Sequence, residues 1–142
     1  GNGGDGYKEE KMLKQLVKNL NLENVVKFKG YIQDMDSVYN TAELLILSSR
    51  YEGAPLAIVE AQSHGVPVIS YDINYGPSDL IQDGKSGIIV PSGHVDDMAT
   101  KIEKYFANPK LMEQLNDGAY ENAQRFSDDN VWKYWEKYVI NA

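Results

Sequence analysis

Four consecutive aliphatic residues, Leu44-Leu45-Ile46-Leu47, constrain this chain more than any other stretch. A continuous apolar run without polar alternation is the pattern of a strand buried on both faces of a parallel sheet. A polar, glycine-containing loop follows, and then Pro55, a residue suited to the first turn of a helix. That helix continues over Leu56 to His64 and stops at Gly65. The same alternation recurs downstream. Val66 to Ser70 reads as a second buried strand, Pro77 to Ile81 as a short helix, Asp83-Gly84 as a turn, and Gly87 to Val90 as another strand. Upstream, Leu13, Leu16, Val17 and Leu20 fall at helical spacing within Tyr7 to Leu20. Val25, Val26 and Phe28 read as a short strand ended by Gly30, and Met35 to Ala42 as a brief helix. Beyond Pro91 only helices are predicted: Val95 to Phe106, Pro109 to Phe126, and Asp128 to Ile140. Helices alternating with β-branched strands predict an α/β fold. Its Rossmann-like doubly wound parallel sheet spans residues 1–91, with a C-terminal helical tail over residues 92–142.

Size and charge narrow the function. A chain of 142 residues, 42% hydrophobic and 25% charged, has the composition of one soluble globular domain. It has no cysteine and only two histidines, His64 and His94, which excludes a disulfide framework, a thiolate nucleophile and a multi-histidine metal site. The net charge of −7 arises entirely from residues 52–142, which hold fourteen acidic side chains against seven basic ones. Such a surface repels a polyanion, so nucleic acid is not an expected partner. The apolar runs are too short to span a bilayer and no leader pattern is read, which makes the cytoplasm the expected location.

In α/β sheets, ligands bind beyond the carboxyl ends of the strands. The richest such end here is Ser48-Ser-Arg-Tyr-Glu-Gly-Ala-Pro. Gly53 permits close approach of a ligand to the backbone, and free N–H groups near residues 56–58 are expected to form an anion site. Glu60 lies about 7.5 Å along the helix axis from Pro55, at ~1.5 Å per residue, and its side chain leans back toward the helix start. A nucleoside diphosphate has that span. Spacing alone is a weak signal, because Glu113 and Glu121 repeat it within a solvated helix. The context of Glu60 is what distinguishes it, since in Leu56-Ala-Ile-Val-Glu-Ala an unpaired buried carboxylate would be costly. His64 reads as a helix-end residue favoured by the dipole, and His94 as a residue just before a helix. Gly1-Asn-Gly-Gly-Asp-Gly matches a dinucleotide fingerprint formally. It is read as a loop, lacks a preceding strand, and makes the chain start in the middle of a βαβ pattern.

Ser48-Ser-Arg-Tyr-Glu-Gly-Ala-Pro-Leu-Ala-Ile-Val-Glu-Ala, followed by His64-Gly-Val-Pro-Val-Ile-Ser, resembles the donor-binding signature of retaining GT-B glycosyltransferases of group 1, or family 4. Glu52 and Glu60 form its E-x7-E pair. Val25-x-Phe28-x-Gly30, Tyr39 to Ala42, Asp79-Leu-Ile, Gly84-Lys-Ser-Gly-Ile-Ile-Val and Phe126-Ser with Trp132 match in the same order. The resemblance implies a nucleotide-sugar donor, UDP-linked by preference, with no metal or other cofactor. It implies retaining transfer of a hexose or N-acetylhexosamine to a glycan or cell-surface polymer acceptor. By position, Glu60 should hold the ribose hydroxyls and Glu52, the catalytic candidate, the sugar ring. Backbone groups of Gly53, Ala54, Leu56 and Ala57 should meet sugar and diphosphate, and Gly30, Tyr31 and Ile32 the base. Pro55 removes one N–H from that set.

The family's Arg/Lys pair and acceptor domain would lie upstream of Gly1, so the sequence reads as the C-terminal half of a GT-B fold, incomplete on its N-terminal side. The full-length enzyme could associate peripherally with the inner face of the membrane, and this chain alone is expected to be inactive. The rival readings are a non-catalytic nucleotide-sugar subunit completed by a separate acceptor chain, and a flavodoxin-like signalling domain, for which only Asp72 offers a strand-end acid. Two further expectations follow from the resemblance. The sheet should lack strands between Val25–Lys29 and Leu44–Ser48. The face formed by Val131, Trp132, Trp135, Tyr138 and Val139 should be partly exposed or covered by another surface.

Overall fold

A computed structural model describes residues 4–74 and 76–140. The chain divides into two compact units, residues 1–33 and 34–142. In the first, helix α1 runs Gly4–Asn19. The loop expected at the amino terminus is therefore already helical from Gly4, since a nucleated helix gains one bond per added residue and outweighs glycine's low propensity. Residues 1–3 lie outside the described residues.

The strand expected at Val25–Phe28 does not form. The Val25 and Val26 amides both donate to the Leu22 carbonyl, at 3.0 and 2.8 Å, in a turn that withdraws them from any ladder. The extended residues beyond have no strand partner among the described residues.

The second unit holds the sheet. Asp34 caps helix α2 (Met35–Tyr39), its carboxylate accepting from the Ser37 N–H at 3.1 Å. Strand β1 (Leu45–Leu47), helix α3 (Leu56–Ser63), strand β2 (Val68–Asp72), helix α4 (Pro77–Leu80), strand β3 (Gly87–Pro91) and helices α5 (Val95–Phe106) and α6 (Pro109–Ala123) follow. A 3-10 turn at Gln124–Phe126, helix α7 (Asp128–Trp135) and a π turn at Glu136–Ile140 complete the described residues.

The three strands are parallel in the order β1-β2-β3, with Leu45 opposite Val68 and Val68 opposite Gly87. Side chains alternate between two cores. Ile69, Tyr71 and Val90 pack with Met98 and Tyr105 of α5 and Leu115 of α6. Val68, with Leu45, Leu47 and Ile89, packs against Tyr39 of α2 and Ile58 and Ala61 of α3. Helices thus cover both faces, as a doubly wound sheet requires.

β1 departs from its expected burial, because Ile46 is 44% exposed. It points to the α5–α6 side of the sheet, where the helices cover β2 and β3, and among the described residues β1 has a strand partner on one edge only. The face of Val131, Trp132, Trp135, Tyr138 and Val139 is exposed throughout.

A buried polar network fastens α3 to α6. The Asn122 amide donates to the Gln62 side-chain oxygen and to the Leu80 carbonyl, each at 2.6 Å. Gln62 in turn donates to the Ser86 carbonyl and hydroxyl at 3.3 Å. Every member has a partner, which makes such a network a source of specificity rather than a penalty. Close packing nearby admits no side chain at Gly118, where a Cβ would overlap the Lys85 carbonyl.

Two predictions follow from this packing. Gly118→Ala should destabilise the protein by about 1–3 kcal/mol in urea unfolding, the usual cost of overpacking, whereas Gly53→Ala, which meets open space, should change stability by no more than about 0.5 kcal/mol. An unchanged midpoint for Gly118→Ala would contradict the α6 packing. The second concerns Tyr105, whose buried hydroxyl donates to the Glu43 carbonyl at 2.7 Å and sits 3.0 Å from the Asn116 amide. Burial first, and the Glu43 charge second, push the Tyr105 phenol up to about 12. The folded state therefore holds this proton more tightly than the unfolded chain, so its stabilisation is complete below about pH 10 and is lost as pH rises toward 12. Alkaline unfolding followed by circular dichroism should show this fall, and Tyr105→Phe should flatten it.

Candidate functional site

Because all three strands run parallel, their carboxyl ends open at one edge of the sheet, and a cleft of about 360 Å³ lies there. Arg50, Tyr51 and Glu52 enter it from the loop after β1, Asp72, Ile73 and Asn74 from the end of β2, and Ser92 from the end of β3. Glu52 is half-buried in this wall. The sequence offers Asp72 only as the strand-end acid of the signalling-domain rival, and assigns no site role to Arg50, Asn74 or Ser92. The signal that could have found them is their common position just past a strand.

The start of α3 is set by Pro55, which is buried. Gly76 adopts φ +138°, and a Cβ there would stand 2.6 Å from the Pro55 ring, so only glycine lets the loop after β2 close against the helix start. Gly53 and Ala54 are exposed, and the space a Gly53 side chain would fill is open. Fewer N–H groups are free at the start of α3 than expected. Of the three N–H groups at residues 56–58, Leu56 donates to the Ala54 carbonyl at 2.8 Å and Ile58 to the Pro55 carbonyl at 2.9 Å. Pro55 has displaced the first turn toward tighter bonding, and among the described residues the Ala57 N–H is the one of the three without a backbone acceptor. Leu56 is exposed and Ala57 half-buried.

Glu60 lies outside the cleft wall, on the exposed side of α3. The apolar context that suggested a buried carboxylate is misleading. Ile58, Ala61 and Gln62 take the buried face of α3, while the helical period turns Glu60 outward. Its carboxylate accepts from the Tyr39 hydroxyl at 3.4 Å. Burial first, then the Glu60 charge and this hydrogen bond, raise the Tyr39 phenol above its ordinary value. His64 caps the end of α3, its Nδ1 3.0 Å from the Glu60 carbonyl and its ring against Tyr39 at 5.5 Å. Its Nε2 faces Asp36 at 3.5 Å. His94 stands at the N-cap of α5, 3.5 Å from Asp97.

Gly30, Tyr31 and Ile32 belong to the other compact unit. There Gly30 takes a left-handed turn, φ +66°, Tyr31 is 93% exposed and Ile32 half-buried. Among the described residues no three acidic or histidine side chains cluster as a metal site would require, and no helix is long and apolar enough to cross a membrane.

The chain is similar to known proteins over most of its length. The poly(ribitol-phosphate) alpha-N-acetylglucosaminyltransferase of Staphylococcus aureus (strain COL) is 33% identical over 133 residues, 93% of this chain and 27% of that enzyme. In three dimensions the chain is similar to Anabaena HepE, solved in complex with UDP (TM-score 0.85, 25% identity, covering 96% of this chain and 38% of that one). It is also similar to the pneumococcal O-GlcNAc transferase GtfA, solved with UDP and GlcNAc (TM-score 0.80, 28% identity, 94% and 27%). The chain thus spans from about a quarter to somewhat over a third of the length of these proteins, whose fold is GT-B. The family model "Glycosyl transferases group 1" matches residues 3–122, most of the molecule, and the chain therefore belongs to the group 1 glycosyltransferases.

Proposed function

We propose that this chain is the donor-binding part of a retaining glycosyltransferase that takes a UDP-sugar and delivers a hexose or N-acetylhexosamine to a glycan or cell-surface polymer. The observation that carries the reading is the joint placement of Glu52 in the strand-end cleft and of Glu60 on the helix that opens beside it. A cleft of about 360 Å³ is of ligand size. In this reading the sugar ring enters the cleft and offers hydroxyls to Glu52, with Asp72, Asn74 and Ser92 as further polar groups around it. The diphosphate lies along Gly53, Ala54, Leu56 and Ala57, where the open side of Gly53 and the Ala57 N–H receive it at a helix start. The ribose hydroxyls donate to Glu60. The UDP found in HepE and GtfA supports the choice of nucleotide.

Retention, the absence of a metal requirement, and a cytoplasmic site of action at the inner face of the membrane belong to the same proposal. Positive groups for the departing diphosphate and an acceptor-orienting surface are needed as well, because electrostatic stabilisation and orientation dominate such transfers. The relatives are roughly two and a half to three and a half times as long as this chain, room enough for both.

Calorimetric titration with UDP, GDP and ADP tests the reading. UDP should bind most tightly, and Glu60→Gln should weaken it by about 1.5–3 kcal/mol, the value of a hydrogen bond to a charged acceptor. Unchanged UDP affinity in the variant would remove Glu60 from the site.

A further inference from the structure

Glu60 is held by groups that the donor reading does not use. Its carboxylate Oε2 accepts from the Tyr39 hydroxyl, which reaches across from α2. Tyr39 is itself buried, 5% exposed, with its ring in the core that includes Ile58 and Ala61 of α3. The other face of that anchor is His64, whose ring lies 5.5 Å from that of Tyr39 at an interplanar angle of 36°. His64 is fixed in turn, with Nδ1 3.0 Å from the Glu60 carbonyl and Nε2 3.5 Å from the Asp36 carboxylate. Ser63 donates its hydroxyl to the same Glu60 carbonyl at 2.7 Å. Main chain and side chain of Glu60 are therefore both tied, while the residue remains open to solvent.

An exposed glutamate ordinarily samples several rotamers, and freezing one on binding costs side-chain entropy. A donor on one carboxylate oxygen lowers that cost before any ligand arrives. It also leaves the second oxygen, Oε1, available for a neighbouring hydroxyl pair.

We propose that Tyr39 is a positioning residue: its hydroxyl sets the rotamer of Glu60 so that the carboxylate meets the vicinal hydroxyls of a ribonucleotide. The proposal rests on the donor reading of Glu60 and adds a residue from another helix that selects ribose over deoxyribose through it.

The test compares the binding of UDP and 2′-deoxy-UDP to the 142-residue chain by calorimetry, in the parent protein, Tyr39→Phe, Glu60→Gln and the double variant. Tyr39→Phe keeps the buried ring and removes only the hydroxyl. It should weaken UDP about 3- to 10-fold, because it removes the group that orients Glu60 and leaves the carboxylate's own contact with the ligand, and weaken 2′-deoxy-UDP less, so the ratio between the two narrows. In the Glu60→Gln background the same change should have no further effect on that ratio. Because the ratio is measured within each variant, partial unfolding lowers both affinities alike and cannot mimic the result. If Glu60→Gln collapses the ratio while Tyr39→Phe leaves it at the parent value, the positioning role is overturned and the donor reading stands. If Glu60→Gln leaves both affinities unchanged, the donor reading fails and the proposal falls with it.

Discussion

The structure depends on β2. Val68–Asp72 is hydrogen-bonded to β1 on one side and β3 on the other, and Val68 to Tyr71 are buried on both faces. A strand so enclosed can satisfy its backbone polar groups only through its neighbours, which makes the ladder obligatory. Since both neighbours run parallel to it, each return to the sheet needs a crossover helix, and every strand ends at the same edge. The cleft is the direct result. Arg50 to Glu52, Asp72 to Asn74 and Ser92 come from three separate loops, and they converge because three strands point the same way.

Helix α3 is the second constraint, since it carries both a core face and the proposed ribose-binding Glu60. Its buried face carries Ile58, Ala61 and Gln62, and its exposed face carries Leu56 and Glu60. The buried face is held at one end by the Gln62–Asn122–Ser86 network and at the other by the contact of Pro55 with Gly76. A helix fixed at both ends presents its exposed side chains from a rigid base, the condition for a preorganised binding group. The price is paid at the first turn, where Pro55 pulls the Leu56 and Ile58 amides into local bonds and leaves few donors for an anion.

Two apolar surfaces remain outside this scheme. Ile46 on the edge strand and the Val131, Trp132, Trp135, Tyr138 and Val139 face of the last helix stay open to solvent. Apolar areas of this kind are commoner at interfaces than on isolated domains. Ile46 lies on a strand that has a partner on one edge only among the described residues, and every residue of α7 is exposed.

The sequence by itself determined what depends on near neighbours along the chain. The strand at Leu45–Leu47, the helix beginning after Pro55, the stop at Gly65 and the α5 boundaries at Val95 and Phe106 all follow from periodicity, capping and glycine within a few residues. The E-x7-E spacing was legible for the same reason. Tertiary structure decided the rest. Val25 and Val26 have strand-forming side chains, yet a strand exists only where another strand accepts its bonds, and a local turn took those amides instead. The apolar stretch around Glu60 suggested burial, but the sheet chose which face of α3 it covered. Tyr39 meets Glu60 from 21 positions away and Asn122 meets Gln62 from 60, and no spacing rule reaches that far. Side-chain partners at that separation are set by how elements stack, and stacking is a property of the whole core rather than of any segment in it.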